Sequence, residues 1–277
     1  MIREPYASQR TDAARTPEAG EGRMAYVRRR ILRPITFIAP ALFFLLVVIA
    51  WQIASGFINP FLLPAPLDVA RRVVSDLASG QLTPYIVQTL SAALSGAALG
   101  AAAGIPLGYL IAVSRVVRRS ISPWVAASQA IPAIALAPLL VMWVGYGMTP
   151  IILLCALMVF FPIVLTTHLG VRDIDRDIID AARLDGASGW RMVRYLKAPL
   201  AAPAILTGLK GGLTLSITGA VVGEFVMGGK GLGLLLTVYR DSADTEGLFA
   251  VLIVLCTLAA ILYALIAAIE HKIRGLW

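Results

Sequence analysis

The sequence predicts an all-α polytopic membrane protein with six transmembrane helices. Three observations point there. Hydrophobic residues make up 58% of the 277 residues and charged residues 14%, with a mean hydropathy of +0.81. A soluble chain runs nearer ~45–50% apolar and ~25% charged. Six apolar runs are long enough to cross a hydrocarbon core, which takes about 20 residues of α-helix. Nothing alternates in the ten-residue pattern of a membrane β-barrel. Together these exclude a soluble enzyme, a disordered regulator and a secreted disulfide scaffold. Cys155 and Cys256 both lie inside apolar runs, as ordinary polarisable side chains without metal-ligand spacing.

The elements follow in order. Residues 1–27 mix Arg, Glu, Pro, Ser and Thr and read as a disordered cytoplasmic tail, leaving 28–277 as the transmembrane domain. Arg28, Arg29 and Arg30 imitate the basic start of a signal peptide. The apolar run behind them is too long and lacks a small-residue cleavage site, so an uncleaved first span is expected at about 35–55. Residues 66–80 place Leu67, Ala70, Val73, Val74 and Leu77 at helical spacing opposite Asp68, Arg71, Arg72, Ser75 and Asp76. That predicts an amphipathic helix lying on the outer surface and stopping near Gly80. The second span, about 86–114, carries Gly96, Gly100, Gly104 and Gly108, a small-residue stripe that admits a close helix neighbour. The third and fourth spans, about 124–144 and 151–170, are expected to kink at Pro132, Pro138 and Pro162. The fifth, about 199–227, repeats the stripe at Gly208/Gly212 and Gly219/Gly223; the sixth is about 248–270.

Charge sets the expected orientation. Arg28, Arg29, Arg30 and Arg33 precede the first span. Arg115, Arg118 and Arg119 join spans two and three. Arg172, Arg176, Arg183, Arg191, Arg194 and Lys197 join spans four and five, and Lys272 and Arg274 follow span six. Only Arg71, Arg72, Lys230 and Arg240 fall on the other side. Basic loops stay in the cytoplasm, so both termini are expected there. The net charge of +8 is then a topology signal, and nucleic acid is not an expected partner.

The loop between spans four and five is the most informative segment. Asp173, Asp175 and Asp177 suit the positive N-terminal end of a helix running to Leu184. Gly186 permits the left-handed conformation at which helices stop. Ser188 can cap a second helix, Trp190–Leu196, which Pro199 closes before opening the fifth span. Two short helices meeting at a glycine elbow, exposed beside the membrane, form a docking surface.

The register of this loop is specific. Asp180-Ala181-Ala182, three residues, Gly186, nine residues, then Leu196-x-Ala198-Pro199 resembles the EAA loop of bacterial ABC import permeases: Glu-Ala-Ala, three residues, Gly, nine residues, Ile-x-Leu-Pro. Asp180, Leu196 and Ala198 replace the family's Glu, Ile and Leu. The strings LPAPLDVARRVV (63–74), QAIPAIALAPLLVMWVGYG (129–147), ILTGLKGGL (205–213), VVGEF (221–225) and GGKGLGLLL (228–236) are similar, in the same order, to the nitrate/sulfonate/taurine-type permeases. The likeness runs from about 35 to 270. It implies a type I importer permease of the bacterial inner membrane, working by alternating access. It also implies a second permease protomer, in a homodimer or a heterodimer with the homodimer favoured, a cytoplasmic ATPase docked on the loop, and an extracytoplasmic solute-binding protein. Asp180, Ala181, Ala182, Gly186, Ala187, Leu196 and Pro199 would form the coupling site.

The chain itself carries no expected enzyme chemistry and no cofactor. Gly223 through Gly231 contains glycines and Lys230, but not the spacing or hydroxyl residue of a phosphate-binding loop, and reads as a flexible turn. His168 and His271 lie near helix ends, outside any Ser/His/Asp or Cys/His constellation. Two charges fall within spans. Lys210 would either attract an anionic solute or snorkel to a cytoplasmic carbonyl. Glu224 would either shape the outer gate or cap the turn at Gly228-Gly229. Ser216 and Thr218 would line the pathway or bond between helices. Lys210 tilts the expected solute toward an anion such as a sulfonate, taurine or nitrate, with a vitamin or pyrimidine precursor as the alternative. A secondary transporter would instead need internal repeats, which residues 35–145 and 146–270 do not show.

Overall fold

The computed structural model describes residues 39–128 and 130–274, the side chains of Ile273 and Arg274 excepted. The tail expected at 1–27 lies outside the described residues. All regular structure among them is helical. The helices are α1 (Ala39–Phe57), α2 (Pro66–Ala78), α3 (Thr83–Val113), α4 (Arg115–Ser128), α5 (Ala133–Val144), α6 (Met148–Arg172), α7 (Arg176–Leu184), α8 (Gly189–Met192), α9 (Ala198–Met227), α10 (Leu232–Asp241) and α11 (Thr245–Arg274). Helix α1 belongs to one compact unit, and everything from Ile58 onward to a second.

The second unit is organised around α6. On one side, Gly96, Gly100, Gly104 and Gly108 of α3 lie against it so closely that side chains are excluded. A Cβ on Gly100 would stand 2.6 Å from the Ala156 carbonyl oxygen, and one on Gly108 2.6 Å from that of Val164. On the other side α9 packs nearly as closely: a Cβ on Gly212 would stand 3.0 Å from Val159 Cγ1 and one on Gly223 3.1 Å from Ile151 Cγ2, so those side chains would have to shift slightly. The sequence expectation of glycine-mediated intramolecular packing is met on both faces. The reason is specific to lipid, where burying a leucine gains little over leaving it in acyl chains, so backbone proximity and dispersion hold helices together. The core between α3, α6, α9, α10 and α11 includes Leu154, Cys155, Ile217, Ala220, Leu232 and Val251, all buried.

Several expectations are corrected. The third span is not one helix. Among the described residues five helices are long and apolar enough to cross a membrane, and a sixth span exists only if α4 and α5 are counted together across a 100° bend. Pro132 is the cause. It takes the N-cap of α5 at φ −62°, ψ 122°, lacks an N–H, and disfavours helical geometry at Ile131. Residues 115–123, expected as a loop, form the start of α4. At Pro162, by contrast, α6 continues without interruption, and the Thr166 hydroxyl donates to the Pro162 carbonyl at 2.9 Å.

Helix α2 forms as expected, with most of its apolar face open on the outside of the protein. Val69 and Asp76 are buried, whereas Leu67, Val74 and Leu77 are exposed. The Arg72 guanidinium decides the rotation. Its Nε donates to Asp76 at 2.9 Å and its Nη2 to Asp244 at 3.0 Å, while the group lies 5.7 Å from the Tyr239 ring centroid. Burial opposes the charge on Arg72, but the Asp76 hydrogen bond and the Asp244 and Asp76 charges outweigh it and hold its pKa above the ordinary value. Arg72, on the face opposite the apolar positions, thus fastens α2 to the α10–α11 turn.

Candidate functional site

The elbow begins at Asp175, whose carboxylate accepts from the Asp177 N–H at 2.9 Å and caps α7. At its far end the Ala187 N–H donates to the Ala182 carbonyl (2.9 Å) and the Gly186 N–H to that of Arg183 (3.0 Å). These are the paired bonds of a Schellman turn. Gly186 sits at φ +84°, where a Cβ would strain the backbone although the space around it is open. Ala182, Gly186 and Ala187 are therefore read from the motif and explained by the turn. Asp180 pairs with Arg183 at 2.7 Å on the surface, a contact of small energetic weight. Ala181 is exposed beside it.

The second helix of the elbow departs from expectation. Ser188 holds the N-cap position with extended backbone, but its side chain makes no capping bond. Trp190–Leu196 does not end before Pro199; it runs on into α9, giving one helix from Gly189 to Met227 of 39 residues. Residues 193–197 widen to π geometry, and the Ala198 N–H reaches the Val193 carbonyl five residues back. Widening accommodates a proline, which brings a ring but no N–H into a helix. Leu196 and Pro199 are half-buried within this stretch. Around the turn, large apolar side chains stand in the open: Leu184 is 90% exposed, Trp190 72% and Tyr195 72%.

At the opposite end of α9, Glu224 is 1% exposed. Its carboxylate accepts from the Thr89 hydroxyl (2.9 Å) and the Gly233 N–H (2.8 Å), and Thr89 Oγ1 accepts from the Leu232 N–H at 2.8 Å. The side chain thus caps the N-terminus of α10 rather than the Gly228-Gly229 turn, which its backbone carbonyl serves through the Gly229 N–H at 2.9 Å. A Cβ on Gly231 would fall onto the carboxylate, and one on Gly229 would stand 2.7 Å from the Glu224 Cγ. The glycine run read as a flexible turn is a cradle moulded around Glu224. Thr89 was not singled out from sequence; nothing local marks it.

Between the two ends, Lys210 forms an ion pair with Glu270 of α11, both side chains largely buried, and lies 5.5 Å from the Tyr263 ring centroid. Its charge is matched inside the protein instead of reaching a backbone carbonyl. Ser216 is buried and donates to the Ala93 carbonyl of α3 at 2.6 Å, the interhelical alternative. Thr218 donates within its own helix, to Thr214 at 3.4 Å, and remains exposed on a face shared with Thr207, Gly211 and Thr214. Nearby, a cavity of about 520 Å³ opens between the broken span, α6 and α9; Pro132, Met158, Phe161 and Leu215 line it, and among the described residues no cation does.

Glycine-packed spans, a broken helix and a structured elbow outside the apolar region define the class as a polytopic helical membrane domain. The chain belongs to the family described as the binding-protein-dependent transport system inner membrane component, which matches residues 104–275. It is 42% identical to the riboflavin transport system permease protein RibX of Chloroflexus aurantiacus, over 82% of this chain and 85% of that one. It is 33% identical to the formylaminopyrimidine transport permease protein ThiX of Halalkalibacterium halodurans, over 84% and 93%. The taurine transport system permease protein TauC of Escherichia coli is 29% identical over 82% and 85%. Among solved structures, the MetNI methionine ABC transporter in inward facing conformations shares the fold, with a TM-score of 0.64 and 22% identity over 69% of this chain and 95% of that one. The sequence resemblance to ABC import permeases is thereby established, as is the all-helical membrane fold.

Proposed function

We propose that this chain is the pathway-forming subunit of an ATP-driven importer, in which a separate ATPase grips the elbow. It works with an extracytoplasmic binding protein and a second copy of itself in a bacterial inner membrane, both termini cytoplasmic. The observation carrying this reading is the elbow: a glycine turn surrounded by exposed Leu184, Trp190 and Tyr195, joined without a break to a helix that reaches Glu224. A helix of 39 residues is about 58 Å long. It is stiff enough to carry a displacement of the elbow to the far side of the membrane. Asp180, Ala181, Ala182, Gly186, Ala187, Leu196 and Pro199 set the shape of the docking elbow. Thr218, on the open face of α9, is the pathway candidate that remains. Ser216, Glu224 and Lys210 act by holding helices together.

The solute we favour is an uncharged planar heterocycle, of the vitamin or pyrimidine-precursor kind, over a sulfonate, taurine or nitrate. Lys210, the reason to expect an anion, is neutralised by Glu270. The cavity at the broken span offers Phe161, Met158 and two prolines, a lining suited to a flat apolar ring. Relatives named for riboflavin and formylaminopyrimidine transport agree with this choice. ATP-dependent uptake in proteoliposomes holding the chain, its ATPase and its binding protein tests it. Uptake of riboflavin or an aminopyrimidine, with none of taurine, is expected. Uptake of taurine that collapses in Lys210→Gln would reverse the assignment.

A further inference from the structure

The elbow end of the bundle also holds a concentration of cations that the transport reading leaves unused. Where α3 and α6 end, α4 and α7 begin and the π-widened stretch leads into α9, a cavity of about 360 Å³ opens to the surface. Arg115, Arg118, Arg172, Arg176 and Lys197 line it, and among the described residues no carboxylate does. Among the described residues none of the five takes part in an ion pair. Lys197 is steadied by the Tyr109 ring, 5.8 Å from its centroid. The rule that keeps basic residues on one side of a membrane explains why cations occur in these loops. It does not explain why cationic side chains from four elements converge on one concavity whose lining among the described residues holds no carboxylate. Converging like charges are held together at a cost that a bound anion would remove.

The remaining lining narrows the anion. Val113 and Val171, at the ends of two spanning helices, and the buried Ile174 contribute apolar wall. The cavity therefore sits where the hydrocarbon gives way to water. A soluble anion would use only the cationic rim. A phosphodiester carrying acyl chains would use the rim and the wall together, and guanidinium groups match phosphate oxygens in paired hydrogen bonds. We propose that this cavity is a binding site for the phosphate of an anionic phospholipid. Bound there, the lipid bridges the ends of α3 and α6 to the first turn of α7, and so fastens the root of the elbow.

Native mass spectrometry of the full chain in mild detergent tests this. The probes are dioleoyl phosphatidylglycerol, dioleoyl phosphatidylcholine and inorganic phosphate. The wild type should retain phosphatidylglycerol about tenfold more tightly than phosphatidylcholine, consistent with several cations near one headgroup. The double variant Arg118→Gln/Arg172→Gln should lose that preference, while Arg119→Gln, outside the cavity, should keep it. Millimolar inorganic phosphate should not displace the lipid. Equal retention of the two lipids by the wild type would overturn the proposal without reference to any variant. So would a preference unchanged in the double variant, or displacement by inorganic phosphate.

Discussion

The two ends of the Gly189–Met227 helix are built on opposite plans. At the elbow end, backbone bonds close a turn and the side chains face outward: Leu184, Trp190 and Tyr195 are open, and Gly186 has free space around it. At the other end the Glu224 cluster is enclosed. Glu224, Thr89, Leu232 and Gly233 satisfy one another, and Gly229 and Gly231 leave no room for a side chain. Both ends use glycine, for different reasons. Gly186 is needed for its backbone conformation, Gly231 for its missing Cβ. An end that must meet and release a partner leaves apolar surface unsatisfied; an end that must hold its shape satisfies everything internally.

Substitutions should break this contrast in graded ways. The largest effect is expected at the pair bracing the helix between its ends. Lys210→Met leaves the buried Glu270 carboxylate without its charge partner and should cost about 3–5 kcal/mol, largely restored in Lys210→Met/Glu270→Met. Thermal unfolding in detergent reads both; equal losses in the single and double variants would contradict the pairing. Next comes the enclosed end. Glu224→Leu strands the Thr89 hydroxyl and the Gly233 N–H and should cost about 2–4 kcal/mol, with Gly231→Val following through steric exclusion. A Glu224→Leu protein as stable as wild type would show that the cradle holds nothing. At the open end, Gly186→Ala should cost only about 1 kcal/mol, because strain at positive φ is the sole penalty there. The smallest stability effect is expected for Leu184→Ser, within about 0.5 kcal/mol, yet this variant should lose most of its ATPase partner in co-purification.

How much of this could be read from sequence depends on range. The four-residue glycine repeat of α3, the acidic start of α7 at Asp175 and Asp177, and the Gly186 stop are local features that stand where the pattern put them, whereas Asp173, expected with that acidic start, closes α6 instead. Features requiring a second segment were hidden. Thr89 and Glu224 are 135 residues apart in sequence, and only the fold joins them. Glu270 sits near the end of an apolar run, where a charge reads as a helix terminus, so its role as the counter-ion of Lys210 was not visible. Prolines were legible as disturbances but not in kind. Pro132 breaks a span, Pro162 leaves one continuous, and Pro199 is absorbed by a widened turn, because the neighbouring backbone decides how each freed carbonyl is used. The apolar face of α2 was legible from its spacing, but its anchor was not: Arg72 reaches Asp244, 172 residues further along the chain, and only the fold joins them.

The central claim is that the elbow receives a separate ATPase and the enclosed end does not. The most direct measurement is quantitative mass spectrometry of what co-purifies with the tagged chain from native membranes in mild detergent. Wild type should carry a stoichiometric ATPase. Gly186→Trp should insert into the membrane and lose it, while Gly231→Ala, where it still folds, should retain it. A Gly186→Trp chain that keeps its full complement of ATPase, or a wild-type chain that purifies alone and transports without ATP, would contradict the account.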